Sequence, residues 1–198
     1  MFDPIEAAAL RRAVTGDRLE ALWILALALG LRQGELLGLR WDDVDLVGRV
    51  LDVRKQLQRV DGKLGLVSLK TRKSRRRLPM PVFVVNALEA HQERQRSEGV
   101  ANLLRLVFTN EVGQPIDARR LQTRFKRLLK RAGLADRPFH ALRHSAATFL
   151  LLQHVDMKVV SEILGHSNLA TTSGRYSHVL DQMKRDAAAR LDVLWDEA

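Results

Sequence analysis

The sequence predicts an α+β fold that is mostly α-helical and contains a small three-stranded antiparallel sheet. Apolar residues recur at helical spacing at both ends of the chain. Between them, residues 49–60, 64–69 and 76–82 alternate apolar and polar side chains, as strands buried on one face do. The 198 residues, 46% of them apolar, suffice for one sizeable core, so we interpret residues 1–198 as a single domain.

Helices are predicted throughout the first fifth of the chain. The first spans residues 4–14 and begins at a proline, whose missing N–H costs little at that position. Asp17 is expected to cap a second helix that ends at Gly30. Because nearly every face of this second helix is apolar, we expect it at the centre of the core. A short third helix is predicted within residues 31–41.

The middle of the chain contains the strands, and helices follow to its end. Asp61-Gly62 is a hairpin signal between the first two strands, and a basic turn separates the second from the third. Residues 106–108 suggest another short extended segment. The remaining predicted helices span 82–98, 117–131, 138–153, 156–164, 168–175 and 179–195.

Composition excludes several classes of protein. The chain has no cysteine, which removes disulfide scaffolds, thiolate metal sites and thiol nucleophiles. Its longest apolar run, Ala21 to Leu31, is too short to cross a bilayer, and no signal peptide is recognisable. We therefore expect a cytoplasmic protein. There is one tyrosine, Tyr176, so a tyrosine nucleophile would have only that candidate.

Positive charge is concentrated in two windows. The net charge is +10, with six Lys and Arg in residues 70–77 and seven in residues 119–131. The second window predicts an amphipathic helix with leucines and Phe125 on one face and basic side chains on the other. A basic helix can also lie on a membrane, but this one lacks an exposed aromatic insertion face, so we favour nucleic acid. The predicted DNA-contacting residues are Arg72, Lys73, Arg75, Arg76, Arg119, Arg120, Arg124, Lys126 and Arg127.

Four further segments contain residue types suited to phosphoryl transfer without a metal ion. They are centred on Arg32 and Glu35, on Lys70, on His140 to His144, and on His166 with Tyr176. Each alone has an ordinary explanation, such as an ion pair, a helix cap or a packed tyrosine.

The set of residue types is more informative than any single segment. Arginine binds a phosphodiester with fixed, forked donors, and nearby cations stabilise charge that builds in the transition state. Lysine and histidine can transfer protons, and tyrosine can form a covalent intermediate. The acidic residues near these segments are scattered, which disfavours a two-metal nuclease.

The order of these segments resembles the catalytic domain of tyrosine recombinases, the phage integrase family. The resemblance rests on G-L-R-x-x-E-L-L-x-L-x-W, K-T with a basic run and L-P, H-x-L-R-H, L-G-H-S, and T-T-x-x-R-Y-S-H. These segments fall between residues 30 and 178. The resemblance implies the DNA breaking-and-rejoining fold of that family.

Residue by residue, the resemblance implies a phosphate-binding set. Arg32 and Arg143 match the two arginines that clamp the scissile phosphate. His140 matches the histidine that acts as a base or phosphate ligand, and His166 matches the position that hydrogen-bonds the same phosphate.

The resemblance also implies a nucleophile and an acid. Tyr176 matches the nucleophile, and Lys70 matches the hairpin lysine that protonates the 5′-oxygen, with Lys73 as the alternative. Glu35 matches an acidic residue that supports the site by orienting His144 or one of the basic residues.

The implied function is that of a site-specific DNA recombinase acting through a 3′-phosphotyrosyl intermediate. No metal, ATP or other cofactor is implied, and the partner is double-stranded DNA. A bacterial or phage protein associated with the nucleoid is expected, serving prophage integration, transposition or chromosome-dimer resolution.

Family members usually carry an N-terminal core-binding domain, and none is recognisable here. We expect a catalytic fragment, monomeric by itself and tetrameric on paired sites when full-length, rather than a natural short member. An amphipathic pattern at the C-terminus predicts a helix that packs on its own core or on a neighbouring protomer; it comprises Leu180, Met183, Ala187, Leu191 and Leu194.

Two alternatives remain open at this point. A type IB topoisomerase-like enzyme or telomere resolvase would use the same chemistry and yield a relaxed or hairpin product. A non-catalytic DNA-binding module of the same fold would bind DNA without forming a covalent product.

Overall fold

A computed structural model of the protein describes residues 1–69 and 74–165. The predicted fold class is confirmed. The helices predicted over 168–175 and 179–195 lie outside the described residues. In chain order the elements are α1 (Pro4–Val14), α2 (Glu20–Leu29), α3 (Gln33–Leu37), a 3₁₀ turn (Trp41–Asp43), β1 (Val44–Asp45), β2 (Val50–Val53), β3 (Lys55–Val60), β4 (Lys63–Ser68), β5 (Arg76–Pro79), α4 (Val82–Ser97), α5 (Ala118–Arg131), α6 (His140–Leu152) and α7 (Met157–Leu164).

The second helix, α2, lies at the centre of the core, as predicted. It packs against α4 and α6, and its residue Trp23 stacks on Phe125 of α5 with ring centroids 5.6 Å apart. The predicted cap differs in position. Asp17 stands two residues before the N-cap residue Leu19 and accepts a 2.8 Å hydrogen bond from its backbone N–H. Asp17 therefore stabilises the turn that leads into α2.

The sheet region has strands at the three predicted locations, but it also contains β1, which was not predicted, and the strands pair differently. Strands β1, β2 and β5 form a three-stranded antiparallel sheet, and β3 pairs with β4 as a separate hairpin. The predicted strand 49–60 is divided at Arg54, whose carbonyl accepts a 3.1 Å hydrogen bond from the N–H of Leu69. Leu51, Val53 and Leu57 are all buried, so the two-residue alternation continues across the point where the strand changes partner.

A buried histidine links α4 to residues 106–108. This segment was predicted to be extended, and in the structure Leu106 forms an isolated antiparallel bridge with Arg40. His91 donates a 2.7 Å hydrogen bond from Nε2 to the carbonyl of Val107. Its ring lies against those of Trp41 and Phe108. Within the described residues Nδ1 has no hydrogen-bond partner. Burial disfavours the imidazolium form and lowers the pKa of His91.

The depressed pKa of His91 predicts a loss of stability in acid. Unfolded, this histidine takes up a proton near pH 6.5, whereas folded it does so only at lower pH, so acid favours the unfolded chain. The free energy of unfolding should fall from pH 6.5 downward by up to about 1.4 kcal/mol per pH unit from this group. Urea titrations between pH 8 and 5 should give a steeper decline for wild type than for His91→Gln. Identical slopes would contradict the assignment.

No helix within residues 1–69 and 74–165 is both long enough and apolar enough to span a membrane.

Candidate active site

The first predicted segment forms a tight ion pair at the start of α3. Arg32 occupies the N-cap position, and Glu35, three residues later, reaches back to it. The backbone N–H of Arg32 donates to Oε2 at 2.9 Å, and its Nη1 donates to Oε1 at 2.7 Å. The side chain of Glu35 is 0% exposed and that of Arg32 is 39% exposed. Glu35 is therefore an internal anchor for an arginine that still reaches the surface.

A second arginine binds the same carboxylate. Arg76, at the start of β5, donates from Nη2 to Oε2 of Glu35 at 2.8 Å and from Nη1 to Oε1 at 3.2 Å. Its side chain is only 7% exposed. The sequence places Arg76 among the DNA contacts; in the structure its guanidinium lies against Glu35, and the DNA contact stays a prediction. Of the two supporting roles expected of Glu35, the structure shows contact with basic residues, namely Arg32 and Arg76.

These two arginines keep Glu35 ionised. Burial by itself raises the pKa of this carboxyl group, because a desolvated carboxylate is unfavourable. The hydrogen bonds and charge of Arg76, and then those of Arg32, oppose burial and leave the pKa below its ordinary value. Glu35 is thus a carboxylate at neutral pH, and its contacts with both guanidiniums are charge-assisted.

Arg143 approaches from the first turns of α6 and is buried. Its Nη1 donates to the carbonyl of Gly30 at 2.7 Å, and its Nη2 donates to the carbonyl of Leu164 at 2.6 Å. Gly30 ends α2 with φ +61°, and a Cβ there would lie 2.6 Å from Cδ2 of Leu164. The left-handed backbone and the close approach of the Leu164 side chain to the end of α2 therefore favour glycine at this position.

Two histidines lie one turn apart at the start of α6. The rings of His140 and His144 are nearly perpendicular, with centroids 4.6 Å apart. His140 is exposed and His144 is half-buried. The structure therefore leaves His140 accessible at the surface, next to the turn of α6 that carries Arg143.

The three arginines meet at the C-terminal end of α7. Arg76 donates from Nε to the carbonyl of Ile163 at 2.6 Å, Arg143 donates to that of Leu164, and Arg32 donates from Nη2 to that of Gly165 at 3.1 Å. The last carbonyls of a helix have no partner within the helix, and their dipoles favour cations. Arg32, Glu35 and Arg143 are thus brought together where the chain continues to His166. Lys70, Arg72, Lys73, His166 and Tyr176 lie outside the described residues.

The basic helix α5 borders a groove of about 770 Å³ that Arg18 and Arg59 also line. Part of its charge is neutralised. Arg124 lies 3.1 Å from Asp17, and Lys126 lies 2.8 Å from Asp136. Among the described residues, the exposed members of the predicted set that form no ion pair are Arg75, Arg119, Arg120 and Arg127.

Sequence reasoning missed the buried position of Arg76, although a signal was present. Arg76 and Leu78 are two residues apart in β5, and Leu78 is buried. Alternation along a strand places both side chains on the same face. The density of arginines in residues 70–77 obscured this pattern.

Sequence comparison finds curated relatives that cover most of this chain. A tyrosine recombinase XerC-like protein of Caldanaerobacter subterraneus is 39% identical over 98% of this chain and 54% of its own length. Tyrosine recombinase XerC of Xylella fastidiosa is 37% identical over 83% of this chain and 49% of its own length. The chain therefore spans about half the length of the curated relatives it matches.

Solved structures give the same result for the fold. The crystal structure of XerA recombinase superposes on 94% of this chain, over 64% of the XerA chain, with a TM-score of 0.78 and 25% sequence identity. The Tn1549 transposon integrase in complex with transposon right end DNA matches 96% of this chain and 65% of its own, with a TM-score of 0.82 and 26% identity. Residues 6–183 match the phage integrase family, and the chain belongs to that family.

Proposed function

We propose that this chain is the catalytic domain of a site-specific DNA recombinase that cuts and rejoins DNA through Tyr176. The observation that carries the proposal is the convergence of Arg32 and Arg143 on the last carbonyls of α7. These arginines are far apart in sequence and match the two phosphate clamps of the family. The named relatives are recombinases and integrases, and one solved neighbour is bound to transposon DNA.

Arg32 would bind the scissile phosphate with little rearrangement. Glu35 holds Arg32 by two hydrogen bonds and leaves its side chain 39% exposed, so one edge of the guanidinium can face a phosphate. Arg143 is fixed between α2 and α7. Cations held in place before the reaction stabilise the extra oxygen charge of a pentacoordinate transition state without the cost of moving into position. His140 would serve as a base or phosphate ligand beside them.

The reaction proceeds in two balanced transfers. The Tyr176 hydroxyl gives its proton to His140 as base, and its oxygen attacks the phosphorus to form a 3′-phosphotyrosyl ester. The bond to the 5′-oxygen breaks at the same time, and Lys70 or Lys73 supplies the proton that this oxygen takes up. A 5′-hydroxyl from a partner duplex then attacks that ester and releases the tyrosine. The phosphotyrosyl ester conserves the energy of the broken phosphodiester bond, so rejoining needs no ATP. The proposed reaction needs no metal ion either. Four protomers on two sites, at the nucleoid, would complete strand exchange.

The proposal is tested by trapping the covalent intermediate. The substrates are duplex oligonucleotides with a randomised recognition sequence and a nick beside the cleavage position. After attack, the short strand that carries the 5′-hydroxyl dissociates, so it cannot rejoin. The chain should form a complex that survives SDS and boiling, at the same yield with EDTA present. Sequencing the captured DNA identifies the site. Cleavage that leaves no covalent complex and is lost in EDTA would favour a metal-dependent nuclease instead.

The captured site then distinguishes recombination from relaxation. A supercoiled plasmid carrying two copies of it should yield exchanged products when incubated with the full-length protein. Relaxation without exchange would favour a topoisomerase-like activity.

A further inference from the structure

The buried arginine of β5 makes more contacts than a structural ion pair requires. Besides its two hydrogen bonds to Glu35, Arg76 donates from Nε to the carbonyl of Ile163 at 2.6 Å and from Nη1 to that of Ser74 at 3.2 Å. One side chain therefore connects β5, α3 and the C-terminal end of α7. A substitution at Arg76 would disturb all three.

Arg32 and Arg76 bind the same carboxylate and the same end of α7. Each binds Glu35, and each donates to a carbonyl at the end of α7, Gly165 for Arg32 and Ile163 for Arg76. Arg76 is 7% exposed and Arg32 is 39% exposed. The buried guanidinium of Arg76 thus holds the Glu35 carboxylate and the end of α7. The more exposed guanidinium of Arg32 lies between these same two groups.

The end of α7 comes close to the Arg76 side chain at Gly165. Gly165 has φ +67°, and a Cβ there would lie 3.0 Å from Nη1 and 3.2 Å from Cδ of Arg76. The backbone conformation favours glycine, and a side chain at this position would press on Arg76. The guanidinium is packed on this side as well as hydrogen-bonded, which restricts it to one orientation.

We propose that Arg76 is a positioning residue for Arg32: by binding Glu35 and the Ile163 carbonyl together, it fixes the carboxylate and the helix end that orient the Arg32 guanidinium toward the phosphate. This inference rests on the proposed function. Arg76 itself does not touch DNA in this role. Its effect on cleavage passes through Arg32.

Lysine cannot replace arginine in this role. A guanidinium has donors on several sides in a fixed plane, and Arg76 uses Nε for the helix and both Nη atoms for the carboxylate. A lysine ammonium is a single point of donation at the end of a flexible stem. Arg76→Lys would keep the charge beside Glu35, and so the fold, while losing the bridge to Ile163.

The test measures single-turnover cleavage of the captured nicked site at saturating DNA. Arg76→Lys should slow cleavage by about 10- to 100-fold, because small misplacement of a positioned group costs that much. Arg77→Gln is the control variant, because it removes a positive charge from the next residue of β5. Its DNA affinity shows how much the charge of β5 by itself contributes to binding.

A double-mutant cycle separates positioning from general structural damage. If Arg76 acts through Arg32, Arg76→Lys should slow an Arg32→Lys protein by less than about threefold further, because groups acting as a unit are not additive. A full 10- to 100-fold further loss, or a wild-type rate for Arg76→Lys, would overturn the proposal. Absence of any adduct with wild-type protein would instead refute the proposed function, so the two failures are distinguishable.

Discussion

Glu35→Ala is expected to lower the free energy of unfolding by about 3–5 kcal/mol, the usual cost of removing one partner from a buried ion pair. Glu35 is 0% exposed and binds two guanidiniums, one of which is 7% exposed. Without the carboxylate, Arg76 becomes a buried cation whose only remaining partners given by the structure are two backbone carbonyls. Urea unfolding at pH 7 measures the loss as a shift in the midpoint.

Glu93→Ala is the matched control for this substitution. Glu93 also pairs with an arginine three residues away, but both side chains are largely exposed, at 77% for Glu93 and 69% for Arg96. Water and side-chain entropy cancel most of the attraction in such a pair, so the change should stay within about 0.5 kcal/mol. Equal effects at positions 35 and 93 would contradict the assigned burial.

A compensating substitution tests the physical reason for the loss. If the cost of Glu35→Ala comes from an unpaired Arg76, then Arg76→Met added to it should restore part of the stability, because no buried charge then remains there. Arg32 can turn to solvent in both proteins, since its side chain is 39% exposed. A double variant less stable than Glu35→Ala alone would show that Arg76 contributes by packing.

The fold was predictable where local patterns decide it. Helical patterns located α1, α3 and α4 to α7, a continuous apolar run located α2, and two-residue alternation located β2 to β5 but not β1. Alternation did not show that the strand pairing changes at Arg54, because Leu51, Val53 and Leu57 continue one register across the break. Partner choice depends on residues distant in sequence, and it leaves no local signal.

The density of basic residues did not show which arginines pair with carboxylates in the fold. Arg76 and Arg124 were both interpreted as DNA contacts from the density of basic residues around them. The structure pairs them with Glu35 and Asp17, which are 41 and 107 positions away in sequence. A count of basic residues cannot identify those that are neutralised by the fold, and only the three-dimensional arrangement separates the anchoring arginines from the accessible ones.

Part of the candidate site was predictable from motif order. Arg32, Glu35 and Arg143 do lie together, but their common anchor is the set of backbone carbonyls at residues 163–165, which no side-chain motif reveals. The sequence spacing from Arg32 to Arg143 has no meaning until α2, α6 and α7 are packed. The geometry of the anchor thus comes from the fold.

Tyr176→Phe should abolish the SDS-resistant complex with nicked DNA while leaving DNA affinity unchanged. The substitution removes only the phenolic oxygen, which is the nucleophile in the proposed reaction. DNA affinity comes mainly from cations that contact phosphates, and a neutral tyrosine contributes no charge to it. Because the chain contains one tyrosine, no second phenol can take over. Gel analysis after denaturation measures the complex, and a filter-binding assay measures affinity.

Arg143→Lys serves as the comparison, because it should slow formation of the SDS-resistant complex without abolishing it. It keeps the nucleophile but loses the forked donors that reach the carbonyls of Gly30 and Leu164, so the complex should form slowly rather than not at all. A complex that persists in Tyr176→Phe at the wild-type yield would exclude tyrosine as the attacking group. The covalent bond would then have to involve another side chain, and the arginine geometry would serve a different transfer.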